Sequence, residues 1–195
     1  DRDITPPSKE VQLSPEELLS IRYKSSPELS QTEVFNLLTT FQSSELKNNA
    51  HSRITFQPNI FQIKEKYYLS KNKADARNIE STEEQIPIYK IEFTSETGTG
   101  MAVVSGDRRA PHILAYIDNI KENQDSLYTS PNALLQWSEM YIRNEVTKFD
   151  EIKDSLYESA VLKISKELYI TSKDIDYEAI KNQIIINNSL SLIHI

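Results

Sequence analysis

Cysteine is absent from the 195 residues, which excludes disulfides, thiolate nucleophiles and cysteine-bound metal sites together. Glycine is nearly absent too: there are three, where a usage of about 7% would place roughly a dozen. Histidine is limited to His51, His112 and His194. They are scattered, and a single imidazole without a positioned partner makes neither a catalytic triad nor a metal site. No apolar stretch approaches the ~20 residues that span a bilayer, so no membrane span is expected. A basic stripe is missing as well. With a formal net charge of −7, this argues against a nucleic-acid partner. The opening Asp1–Ser8 has no signal-peptide core and reads as a mature terminus or a fragment edge.

What glycine there is lies in one place. Gly98, Gly100 and Gly106 bracket the apolar run Met101-Ala-Val-Val-Ser105. A second run, His112–Ile117, follows a Gly-Asp-Arg-Arg-Ala-Pro turn. The pair predicts a β-hairpin. Gly98-Thr-Gly100 lacks the Lys-Ser/Thr ending and the following helix of a phosphate loop, so it is a strand-to-strand turn, and no cofactor is expected.

Around the hairpin the periodicity sets the fold class. Residues 1–13 are polar and Pro-containing, and with a short helix they form an expected flexible lead-in over 1–29. Ser14-Pro15-Glu16-Glu17 is the start of that helix, which ends before Ser25-Ser26-Pro27. Ser30 and Glu33 form a capping box for a second helix, whose Val34, Leu37, Leu38 and Phe41 share one face. Alternation at Ile54 and Phe56, at Phe61 and Ile63, and at Tyr67–Leu69 predicts short strands. In Ile86–Phe93, Tyr89, Ile91 and Phe93 alternate with Ile88, Lys90 and Glu92. After a polar loop, Asp118–Ser130, Pro131 opens a long helix with Ile142, Val146, Phe149, Ile152, Leu156, Ala160 and Ile164 on one stripe. Uninterrupted to Leu168 it would span roughly 50–55 Å, more than a small sheet can cover. Its second half must break or pack on something else. Trp137 is expected in the core, on the helix face laid on the sheet. The fold class is therefore α+β: an antiparallel β-meander of about four strands covered by helices, followed by a long C-terminal helix. The expected divisions are 1–29, a domain at 30–142, a helical extension at 143–170, and a tail of uncertain order at 171–195. Leu190–Ile195 resembles translated adapter sequence and carries no functional weight.

The run Gly100-Met-Ala-Val-Val-Ser-Gly-Asp-Arg-Arg-Ala-Pro-His-Ile-Leu-Ala-Tyr116 resembles the signature of streptopain-type propeptides and the related Spi-type protease inhibitors. The matching positions are Gly100, Val104, Ser105, Gly106, Asp107, Arg109, Ala110, Pro111, Ile113, Leu114 and Tyr116. Downstream, Trp137-Ser-Glu-Met-Tyr141 on a helix fits the same order. The resemblance is sharp over 86–142, architectural over 30–70, and absent after about 150. Ala115 stands where the family has Gly, and Asn119-Ile120 lacks the Gly common after the second strand.

The resemblance implies an inhibitor of a streptopain-like cysteine peptidase, in cis or in trans, secreted or held in a bacterial cell envelope. In the family, a loop from this region enters the peptidase site and displaces the catalytic His, through an Asn in the prototype. By spacing, the counterpart is Leu127, Tyr128, Thr129 or Ser130, with Asn119, Asn123 and Asn132 as neighbouring alternatives. Arg109 joins them as a candidate contact, its fork geometry equally suited to pairing with a carboxylate. Tyr128 is suited to an interface. With no cysteine, the chain itself is not expected to be an enzyme. Two other readings stand beside this one: the N-terminal part of a secreted zymogen stopping before its catalytic domain, and a surface interaction protein that kept the fold.

Overall fold

A Ser14–Glu17 capping box begins the first helix, and a Ser30–Glu33 box the second. In each, the serine hydroxyl accepts from the glutamate amide and the glutamate carboxylate accepts from the serine amide. The structure is a computed structural model that describes residues 9–48, 60–72, 84–95, 98–121, 131–171 and 174–187. Along the chain run β1 (Val11–Leu13), α1 (Pro15–Ser25), α2 (Gln31–Asn48), β2 (Phe61–Ser70), β3 (Gln85–Ser95), β4 (Gly98–Ser105), β5 (Ile113–Ile117), α3 (Pro131–Leu168), α4 (Tyr177–Ile180) and β6 (Ile184–Ile186). The strand expected at Ile54 and Phe56 lies outside the described residues. The chain divides into two compact units, Glu28–Lys148 and a second made of Asp1–Pro27 with Phe149–Ile195.

In the larger unit β2, β3, β4 and β5 pair antiparallel in chain order, the expected meander. One face packs Tyr89, Ile91, Phe93, Ala102 and Val104 against Val34 and Leu38 of α2. The other packs Ile86, Ile88, Val103 and Leu114 against Ile142 and Val146 of α3. Farther along this second face Lys90 and Glu92 reach Glu65 and Lys64 of β2 in ion pairs of 2.8 and 3.5 Å. Fully burying one such aliphatic or aromatic side chain contributes about 1.5–3 kcal/mol, so the two layers fix the sheet between two helices.

The glycines make room for aromatic rings. Phe93 sits opposite Gly100, and a Cβ on Gly100 would lie 2.3 Å from the Phe93 ring and 2.7 Å from the Ile117 carbonyl. With no side chain beneath it, the ring crosses β4 to stack on Tyr116 of β5 at 5.1 Å, while its edge meets Phe61 of β2 at 6.3 Å. One residue of β3 thus links β2 on one side to β5 on the other, across β4. Gly106 gives Tyr89 the same space.

The smaller unit departs from the expected succession of lead-in, extension and tail. Val11 and Leu13 are buried, and β1 pairs in parallel with β6. Ile21, Ala160, Ile164, Ile175 and Ile180 complete a common core. Val11, Leu13 and Ile21 of the expected lead-in are therefore core residues, as are Ile175 and Ile180 of the expected tail. Polar composition misled the reading of the lead-in, since Val11 and Leu13 bury through strand alternation too short to register. Here Glu17 accepts from Ser159 Oγ at 2.7 Å and from Lys163 Nζ at 2.8 and 2.9 Å. Burial pushes its carboxyl up, but Lys163, the Ser14 amide and Ser159 together outweigh burial and hold it below its ordinary value. The second half of α3 thus finds its own partners, as its length required.

Gly100→Ala is expected to lower stability by about 1–3 kcal/mol, the usual cost of overpacking, because ring and carbonyl must both shift. Urea unfolding measures this, and adding Phe93→Leu should recover part of the loss.

Candidate functional site

Two consecutive arginines hold the turn between β4 and β5, each with a two-point grip on a carboxylate. Arg109 donates from Nε to Asp107 Oδ1 at 2.9 Å and from Nη2 to Oδ2 at 2.8 Å. Their side chains are 1% and 2% exposed. Asp107 Oδ1 also accepts from the Arg109 amide at 2.8 Å, which closes the turn locally, as Asp does in turns. Arg108 reaches Glu33 on α2, with Nη1 at 2.9 Å and Nη2 at 3.0 Å from its two oxygens. Arg108 holds the Glu33 carboxyl at about 2, against the opposing effect of burial. The Leu29 amide donates to the Gly106 carbonyl at 2.8 Å. This turn therefore locks the start of α2 to the sheet. Arg109, a candidate peptidase contact, is enclosed and occupied by Asp107.

The start of the Asp118–Ser130 loop is anchored. Asn119 is 7% exposed, and its Oδ1 accepts from the Lys121 amide at 3.0 Å. The Ile120 amide donates to Thr99 at 2.8 Å. Gly98, at φ +142°, passes close under the Asn119 carboxamide, a backbone conformation that favours glycine. Asn119 is thus placed inside the foot of the loop. Asn123, Leu127, Tyr128, Thr129 and Ser130 lie outside the described residues. Asn132 falls in the first turn of α3.

Between α3 and β5 lies a shallow cleft of about 300 Å³, walled by His112, Trp137 and Tyr141 and floored by Leu114 and Ile142. Trp137 is 66% exposed, which corrects the expectation that it is core. The helical phase explains it: at 3.6 residues per turn, Trp137 lies about 140° around the helix from Ile142. Met140 and Tyr141 share this exposed side. His112 meets Tyr141 edge-on at 5.2 Å and 72°. Burial pushes its imidazole below the ordinary value, while Glu145 acts in the other direction. Ser138 Oγ donates to the Leu114 carbonyl at 3.1 Å, at the point where the β4–β5 register shifts.

The sheet's two edges differ in charge. β2 carries Lys64, Glu65 and Lys66, the usual way of discouraging strand addition. β5 reads Ile-Leu-Ala-Tyr-Ile and carries no charge. An uncharged edge strand beside an aromatic cleft suits recognition of a protein segment. Among the described residues no cluster of three His, Asp or Glu side chains is placed to hold a metal ion.

Two outcomes are expected. Glu33 is depressed in the folded state, so its contribution is complete above its unfolded value and lost as pH falls from about 4.5 toward 2. Acid unfolding followed by circular dichroism should show this loss, and Glu33→Gln should remove it. Asp107→Ala leaves Arg109 buried without its carboxylate and should cost about 3–5 kcal/mol in urea unfolding.

Compared with known proteins, the chain matches no family model, no curated protein and no solved structure.

Proposed function

We propose that this chain is a binding module that inhibits a streptopain-like cysteine peptidase, either as its prodomain or as a free-standing inhibitor, exported from a bacterium. The 118–130 loop enters the peptidase cleft and blocks it sterically. The β5 edge and the aromatic side of α3 are the docking surface. No bond is made or broken.

The observation that carries this reading is a juxtaposition. The loop leaves from the anchored Asn119–Lys121 foot and returns at Pro131, so it is borne by β5 and α3. Those are the elements that form the uncharged edge and expose Trp137, Met140 and Tyr141. Large exposed aromatic side chains are typical of the residues that dominate binding energy. Anchoring the foot also reduces the ordering cost of binding. The signature residues support the reading through their resemblance to propeptides. In this scheme Arg109 and Asn119 act indirectly: one braces the turn, the other fixes where the loop begins.

The purified chain should inhibit a streptopain-type peptidase at micromolar concentration or below. Replacing residues 118–130 by a short Gly/Ser linker should abolish inhibition, and Trp137→Ala should weaken it about 30-fold, as expected of a 2 kcal/mol hot spot. An inactive wild-type chain at micromolar concentration, or an active linker variant, overturns the reading.

A further inference from the structure

We propose that protonation of His112 releases the partner from the α3–β5 cleft, so that docking is strong near neutral pH and lost in acid. The inference rests on the docking reading above and adds its regulation.

The position of His112 carries the argument. Its carbonyl accepts from the Ser105 amide at 2.8 Å, which fixes the backbone just before β5. Its imidazole forms one wall of the cleft, edge-on to Tyr141, with Trp137 beside it. No hydrogen bond from the described residues reaches its ring nitrogens. The surrounding charges are already committed. In the preceding turn Asp107 is paired with Arg109, and Arg108 with Glu33. On α3, Glu139 pairs with Arg143 at 3.8 Å. Glu145, whose field reaches the ring, accepts from Lys148 at 3.1 Å. The strand alongside, β4, has no titratable side chain, and Tyr116 of β5 packs into the core on the α2 side.

The occupant suited to this place is an uncharged, apolar segment of the partner, matching the uncharged β5 edge and the Leu114–Ile142 floor. Such a segment takes the imidazole out of water. A neutral ring tolerates that, whereas an imidazolium loses its solvation, and the field of Glu145, shared with Lys148, opposes the burial effect without outweighing it. Bound and protonated states therefore exclude each other. Below the His112 midpoint the dissociation constant should rise about tenfold per pH unit.

The test uses the whole chain and a streptopain-type peptidase with serine in place of its catalytic cysteine, titrated calorimetrically from pH 8 to pH 5. His112→Phe keeps a ring against Tyr141, and His112→Gln serves if that variant does not fold by circular dichroism. Trp137 is the sole tryptophan, so its emission reports the cleft without any partner. The expected result is acid-weakened binding by the wild type, a flat profile for the variant, and a Trp137 emission change in the free wild type that follows the same midpoint and vanishes in the variant. Parallel pH profiles for wild type and variant, or a flat wild-type profile, overturn the inference while leaving the docking reading in place. No binding at pH 8 overturns the docking reading and this inference with it.

Discussion

The Gly106–Ala110 corner is the constraint on which the larger unit depends. Within five residues it reverses the chain, buries three charged side chains, Asp107, Arg108 and Arg109, and reaches across to the start of α2. Each arginine satisfies a carboxylate with two parallel hydrogen bonds, the geometry that makes guanidinium the preferred partner in enclosed pairs. The arrangement is also demanding, because a buried charge that loses its partner is costly. That cost restricts this corner to one conformation, and so sets the course of β5.

From that corner the position of the candidate surface follows. β5 runs away from it as the uncharged edge of the sheet, and α3 returns across the face that β5 borders. Ser138 joins the two at the Leu114 carbonyl. The cleft is what remains where the aromatic side of α3 turns past the strand. The glycines serve the same end from within: a bare β4 backbone lets Phe93 reach Tyr116, and the stacked rings hold β5 from the α2 side. Enclosed and cleft-lining residues are therefore close in sequence and separate in place. Arg109 and Asn119 are enclosed, whereas His112, Trp137 and Tyr141 line the cleft.

Much of this architecture was legible in the linear chain. The helix start at Ser14, the Ser30–Glu33 capping box, the antiparallel meander, the glycine-bracketed hairpin and the long helix opened by Pro131 follow from rules that act within a few residues. Asp107 closing its own turn belongs with them, since both partners lie within three positions. The exposure of Trp137 was legible too, by strict helical phase from Ile142, but its size and apolarity suggested the core instead.

The sequence alone determined the local elements and their order, because backbone hydrogen bonding and side-chain period depend on near neighbours. Tertiary structure decided the rest. It paired β1 with β6 from opposite ends of the chain, placed Lys163 on Glu17, joined Arg108 to Glu33, and left one flank of α3 facing a cleft. Those choices depend on which surfaces meet once the elements pack, and hydrophobic attraction carries no direction of its own along the chain.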